Sequence, residues 1–273
     1  SPDILVYTNI SPDHLDRHGS MEEYINMKLN ALINMKHEGQ IVYNKDDAIL
    51  EKVLSPFPHK KQPFSTKSKD VLYKIENKNI IGPSDDKLLN IDELSIPGEH
   101  NLQNFLAAST CSHLMGISQN QIVKSMKEFK GVEHRLEYVR TINEADYIND
   151  SKATNIDSVI VAINTYKQPI VLILGGFNKG ANFRLLLPHI KSSHVRDIVS
   201  YGDAGGQINT ALGDAVRSVQ VTDLSSAVKK AQLMAAPGDI VLLSPGCASY
   251  DEFSNFEERG NHFKSIIKNL AAS

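Results

Sequence analysis

The aliphatic residues of this chain come in two textures. After residue 131 they form short, almost purely aliphatic runs at 169–174 and 239–243, with strands also expected over 136–142 and 145–149 and weaker ones over 195–200 and 218–221. Between these runs, apolar residues recur every three or four positions over about 155–166, 182–191, 204–212, 223–236 and 256–271. Strands alternating with helices of that length predict βαβ units around a mostly parallel sheet. Runs with no polar face suit strands covered on both sides.

Before residue 131 the pattern is more varied. It predicts a strand over 4–10, a helix from about 20 to 36 with Tyr24, Met27, Leu32 and Met35 on or near one side, and a short strand over 41–43. Asp46 is the expected cap of a helix that carries Ile49, Leu50 and Val53. From 56 to 96, β-like runs at 71–75 and 79–81 alternate with Pro, Ser, Asp and Asn, which predicts a meander of hairpins. Helices over 100–115 and 119–129 follow. Gly131 is the expected boundary, giving domains 1–131 and 132–273 in an α/β fold.

Composition narrows the function classes. The formal net charge of −3 and the lack of a long basic cluster give no footprint for nucleic acid. No apolar run approaches the roughly 18 residues of a membrane helix. Cys111 and Cys247 form neither a disulfide framework nor a zinc spacing, which fits a reducing cytoplasm. The chain opens on Ser1-Pro2-Asp3 and runs straight into a strand without an initiator Met, so it is expected to be a fragment of a longer protein.

The candidate chemistry lies at strand ends. Residues 147–155 read Tyr-Ile-Asn-Asp-Ser-Lys-Ala-Thr-Asn, a strand, a polar turn and the start of a helix carrying Ile156, Val159, Ile160 and Ile163. Such turns hold polar or anionic ligands at the carboxyl ends of parallel strands, although Asp, Ser, Thr and Asn also cap helices without any ligand. Gly175-Gly176-Phe177-Asn178-Lys179-Gly180 and Ser244-Pro245-Gly246-Cys247-Ala248-Ser249 follow two further strands. Lys152, Lys179 and Ser249 would then share one sheet edge and suit an anionic substrate. Asp13, His14, Asp16, Arg17 and His18 crowd one turn, where imidazole and carboxylate can bind a divalent cation. Asn101 and Asn104 lie three apart on one helix face. His134-Arg135 follows the boundary, and Arg offers a fork for phosphate or carboxylate. Neither a G-x-x-x-x-G-K-[ST] phosphate loop nor a G-x-G-x-x-G fingerprint occurs, which disfavours a nicotinamide dehydrogenase.

Taken in order, S-P-D-H-L-D-R-H at 11–18, H-N-L-Q-N at 100–104, H-R-L-E at 134–137, N-D-S-K-A-T-N at 149–155, L-G-G-F-N-K-G at 174–180 and S-P-G-C-A-S-Y-D-E-F at 244–253 resemble the Mur ligases, the ATP-dependent amide ligases of peptidoglycan precursor synthesis. The last motif, with F-E-E-R-G-N-H-F at 256–263, points to the branch of that family that adds D-glutamate. The resemblance implies the C-terminal part of a central ATPase domain followed by a Rossmann-like C-terminal domain. The family's UDP-binding domain, phosphate loop and a metal-binding glutamate would precede this sequence, so the 273 residues alone are expected to make no amide product.

The resemblance further implies a cytoplasmic, monomeric enzyme of cell-wall biogenesis, cell shape and cell division. It would act on ATP, D-glutamate and UDP-N-acetylmuramoyl-L-alanine, with no nucleic acid or membrane partner. His14 would be a Mg2+ ligand, and Lys28 a carbamylated lysine beside the same metal; these two are the implied catalytic positions. Asn101, Asn104, His134, Arg135, Asp150 and Lys152 would contact ATP. Thr154, Lys179, Ser249, Tyr250 and Phe256 would form the D-glutamate pocket. Departures from the family pattern are Asn178 and Asn182, each in place of Asp, and Gly246 in place of Ala. They leave amino-acid recognition the least determined part. Alternatives are a folylpolyglutamate synthase-like ligase, which the S-P-G-C-A-S segment argues against, another Mur ligase, or a non-catalytic nucleotide or amino-acid binding module.

Overall fold

The computed structural model describes residues 1–10, 20–96, 98–213 and 215–270. The chain separates into two compact units, Ser1–Lys130 and Gly131–Ser273.

In the first unit, three parallel strands, β1 (Ile4–Tyr7), β2 (Gln40–Asn44) and β3 (Lys60–Phe64), form a sheet in the order β1-β2-β3. Helix α1 (Met21–Leu29) is capped by Ser20, and a 3-10 turn, Asn30–Leu32, follows it, so the helix is shorter than the 20–36 expected. Helix α2 (Ala48–Leu54) is capped by Asp47, whose side chain accepts from Ile49 and Leu50 N–H, and not by Asp46. Asp46 instead accepts from the Ser65 and Thr66 hydroxyls and the Thr66 N–H, tying the end of β2 to the end of β3. β3 lies inside the segment expected to be only a meander. The meander itself is a three-stranded antiparallel sheet, β4 (Lys74–Glu76), β5 (Asn79–Ile81) and β6 (Lys87–Asn90). Helices α3 (Glu99–Leu114) and α4 (Gln119–Glu128) complete the unit.

The second unit is a six-stranded sheet in the order β11-β10-β9-β12-β8-β7. Its strands are β7 (Glu137–Ile142), β8 (Ala145–Asn149), β9 (Ile170–Gly175), β10 (Val195–Tyr201), β11 (Arg217–Gln220) and β12 (Ile240–Gly246). All neighbours are parallel except β7, which turns back on β8. The helices are α5 (Ile156–Thr165), α6 (Leu187–Ser192), α7 (Gly205–Leu212), α8 (Leu224–Met234) and α9 (Phe256–Asn269). A 3-10 turn, Phe183–Leu186, precedes α6, and Asn182 caps it.

Strand periodicity explains the layering. Ile170, Leu172 and Leu174 of β9 face α5, α6 and α7, while Val171 and Ile173 face α8 and α9. Alternate side chains thus enter two separate cores, and every residue of β9 and β12 is buried. The parallel sheet with helices on both faces is the Rossmann-like layout expected from the alternating pattern. Because β8, β9, β10 and β12 run the same way, the turns that follow them gather at one edge.

Candidate active site at the carboxyl edge of the second sheet

The turn after β8 is built into the core. Asn149, Asp150 and Ser151 are fully buried. Asp150 N–H donates to Leu243 O of β12 at 2.8 Å, so the turn continues the β8–β12 contact. The Asp150 carboxylate accepts from Leu136 N–H at 3.2 Å and lies 3.5 Å from Arg135 Nη1, while its other oxygen accepts from Ser244 Oγ at 2.9 Å. Burial outweighs the Arg135 cation and these hydrogen bonds, and pushes its pKa up to about 6. With both oxygens engaged inside the chain, Asp150 orients the partly exposed Arg135 fork toward the edge.

His134 stands beside this pair in a left-handed conformation, φ +63°. Its carbonyl accepts from Lys152 N–H at 3.0 Å, and its own N–H donates to Glu137 at 2.9 Å. Asn149 Oδ1 accepts from Ser151 N–H, so the amide nitrogen faces His134 Nδ1 at 3.0 Å and Glu137 at 2.9 Å. Nδ1 is then the acceptor, and the ring proton resides on Nε2. A Cβ on Gly260 would stand 2.2 Å from Nδ1, so only glycine lets α9 approach the imidazole this closely. The ring also meets Phe256 edge-on at 6.1 Å.

One residue of the F-E-E-R-G-N-H-F run, to which the sequence alone gives no role, ties the edge together. Arg259 is fully buried on α9. Its Nε donates to Ser151 Oγ at 3.0 Å and its Nη2 to Ser151 O at 2.8 Å. Its Nη1 donates to Cys247 O and Ala248 O, each at 3.1 Å. A single guanidinium thereby joins the turns after β8 and β12 through polar atoms alone. The available signal was periodicity: Phe256, Arg259, Gly260, Phe263 and Ile267 follow one helix face, so Arg259 occupies a core position.

The turn after β9 is joined to the same structure. Phe177 and Ala248 form an isolated antiparallel bridge, with N–H···O distances of 2.9 and 3.0 Å. Gly176 has φ +121°, and a Cβ there would lie 2.3 Å from Ala248 O, which explains the glycine. Lys179 is exposed, with Nζ 5.3 Å from the Tyr250 ring centroid. Lys152 is likewise exposed, 5.9 Å from the Phe256 ring centroid. Ser249 is buried, Thr154 is half-buried and Tyr250 is exposed. The edge therefore offers Arg135, Lys152 and Lys179 as cations, two of them beside aromatic rings, with hydroxyls near them. This chemistry suits phosphate and carboxylate groups.

In the first unit, Asn101 is buried and Asn104 exposed, both in the first half of α3. Lys28, in the last turn of α1, is exposed with Nζ 5.1 Å from the Tyr24 ring centroid. His14 lies outside the described residues. Among the described residues, the cluster of imidazole and carboxylate groups able to surround a metal ion is Glu133, His134 and Glu137 in the second unit. Lys264 already donates to Glu133 and, at 3.2 Å, to Glu137.

Comparison with known proteins agrees with this architecture. The family model described as Mur ligase middle domain matches residues 1–112, and that described as Mur ligase, glutamate ligase domain, matches residues 134–247. The chain belongs to the Mur ligase family. Among individual relatives, it is 42% identical over 274 aligned residues to the UDP-N-acetylmuramoylalanine–D-glutamate ligase of Clostridioides difficile, covering 98% of this chain and 60% of that protein. The protein of the same name from Bacillus mycoides is 37% identical, with 98% of this chain and 60% of that protein covered. The chain thus spans about 60% of the length of the curated relatives it matches. The structure of MurF from Thermotoga maritima in complex with ADP superposes with a TM-score of 0.71 at 16% identity, over 99% of this chain and 63% of that one. At that identity it speaks for the fold alone. No helix among the described residues is long and apolar enough to cross a membrane.

Proposed function

We propose that this chain is the ATP- and amino-acid-binding part of an enzyme that joins D-glutamate to UDP-N-acetylmuramoyl-L-alanine in peptidoglycan precursor synthesis. The observation that carries the reading is the identity of 37–42% to ligases of that name across nearly the whole chain. The geometry of the second unit supports it, since Arg135, Lys152 and Lys179 stand in segments at one edge of the sheet.

In the proposed reaction, the carboxylate of the muramoyl substrate attacks the γ-phosphorus of ATP, and ADP leaves. The amine of D-glutamate then attacks the acyl phosphate, the tetrahedral intermediate expels phosphate, and the amine proton passes to base. Asn101, Asn104, His134, Arg135, Asp150 and Lys152 are the proposed nucleotide contacts, with Asp150 also holding Arg135. Lys179, Thr154 and Ser249 take the carboxylates of D-glutamate, and Tyr250 and Phe256 line its aliphatic part. Magnesium, when bound, would offset charge on the transferring phosphoryl group. His14 and a carbamylated Lys28 are its proposed ligands. A cytoplasmic, monomeric enzyme fits this chemistry.

The test is an amino-acid screen on the full-length protein with UDP-N-acetylmuramoyl-L-alanine and ATP. Phosphate release should respond to D-glutamate; a response to L-glutamate or L-lysine instead would overturn the assignment. The 273 residues alone, which contain no phosphate-loop motif, should bind without forming amide.

A further inference from the structure

Asn178 sits at the tip of the loop after β9, next to Lys179. Its Oδ1 accepts from Gly180 N–H at 3.0 Å and Ala181 N–H at 2.7 Å. A backbone N–H can meet only an acceptor, so this pair of bonds decides which end of the amide is oxygen. The Nδ2 end then meets Gln207 Oε1 of α7 at 2.7 Å and, within the loop, Ala181 O at 3.4 Å. The backbone of one loop thus dictates the orientation of two side-chain amides in succession. The root of the loop is set separately, by Ala204 N–H to Gly176 O at 2.9 Å and by the Phe177–Ala248 bridge. At the tip, Gly180 has φ +93°, and a Cβ built on it would meet nothing within 4 Å. The Asn178–Gln207 bond ties this tip to α7, alongside the contact of Lys179 with the Tyr250 ring.

We propose that Asn178 and Gln207 act as a positioning pair for the Lys179 ammonium, which makes Gln207 a determinant of affinity for the amino-acid substrate. The inference rests on the reading of Lys179 as a carboxylate-binding group.

Amide chemistry supplies the test. In Asn178→Asp, the second carboxylate oxygen still finds a donor, because the Gln207 amide can turn over and offer Nε2. In Gln207→Glu, the carboxylate accepts from Asn178 Nδ2. Each single substitution keeps a bond across the pair, whereas the double variant sets two carboxylates against each other. In the full-length enzyme, the KM for D-glutamate of the double variant should exceed the product of the two single effects by about three- to tenfold, the worth of one net hydrogen bond. The uncharged Gln207→Leu should raise that KM by a similar factor, about three- to tenfold, with kcat and the KM for ATP far less affected. Multiplicative effects in the double variant together with an unaltered KM in Gln207→Leu would overturn the proposal. So would a loss shared equally by kcat, both KM values and thermal stability, which would mark a merely structural contact. Lys179→Met separates the two layers. If it leaves the D-glutamate KM unaltered, the reading of Lys179 fails; if it raises that KM while the pair variants show no effect, only the positioning pair fails.

Discussion

At the edge of the six-stranded sheet, Asp150, Ser151 and Arg259 are fully buried and bonded to one another's turns. In the first unit, Lys28 and Asn104 stand in solvent on their helices. The contrast separates two ways of holding polar groups for chemistry. Asp150, Ser151 and Arg259 belong to a buried network that joins the strands, so removing one unsettles the fold as well as the edge. Lys28 and Asn104 are exposed on their helices, so the loss of either should leave the fold intact.

The strongest way to break the comparison is Arg259→Ala. It removes four donations to buried oxygens and takes the Arg259 donor from the Ser151 and Cys247 carbonyls, while Ala248 O keeps the Phe177 N–H. The expected loss is about 3–5 kcal/mol in equilibrium urea unfolding of the full-length protein. A loss below about 1 kcal/mol would show that the turns hold themselves.

Asp150 sharpens it through pH. Its folded pKa of about 6 lies above the unfolded value of 3.8, so the fold favours the protonated acid. That contribution is present at low pH and is lost as pH rises through about 6. At about 1.4 kcal/mol per pH unit, keeping the carboxylate charged at neutral pH costs the fold about 3 kcal/mol. The stability of the parent relative to Asp150→Asn should therefore grow as pH falls from 7 toward 4, by up to about 3 kcal/mol, as read by urea midpoints across that range. A flat difference would place the Asp150 titration elsewhere.

The smallest effect belongs to Lys28→Met. Unfolding should change by no more than about 0.5 kcal/mol, as for an exposed residue, while ligation by the full-length protein is abolished. A loss of about 2 kcal/mol would mean that Lys28 is part of a packed network after all.

What the sequence made legible follows the same divide. The aliphatic runs of β9 and β12 announce strands buried on both faces, and the glycine and small-residue turns after them mark the edge. β3 was hidden because Lys60, Lys61, Gln62 and Pro63 have neither β-propensity nor alternation; pairing with β2, not local preference, makes it a strand. Tyr73 suggested a strand over 71–75, yet its full burial reflects packing under α3, and pairing begins only at Lys74. Two adjacent acids, Asp46 and Asp47, are both able to cap, and only the fold shows that Asp47 takes the helix. Arg259 stands in the apolar stripe of α9, and its partners in the turns after β8 and β12 are visible only in the fold. Gln207 has no sequence signal, because its role depends on a partner 29 positions away.

The hairpin of β7 and β8 has its own consequence for chain entropy. Asn143 and Glu144 close it in two residues, both with positive φ, and β7 folds back along β8. The segment entering β7 is thereby laid beside the segment leaving β8, so Arg135 reaches Asp150 across a separation of only 15 positions. Arg259 reaches Ser151 across 108. Loop-closure entropy grows with the logarithm of that separation, so the two closures differ by about 1.7 kcal/mol. One half of this sheet edge is closed locally by a tight turn, and the other joins segments at opposite ends of the unit.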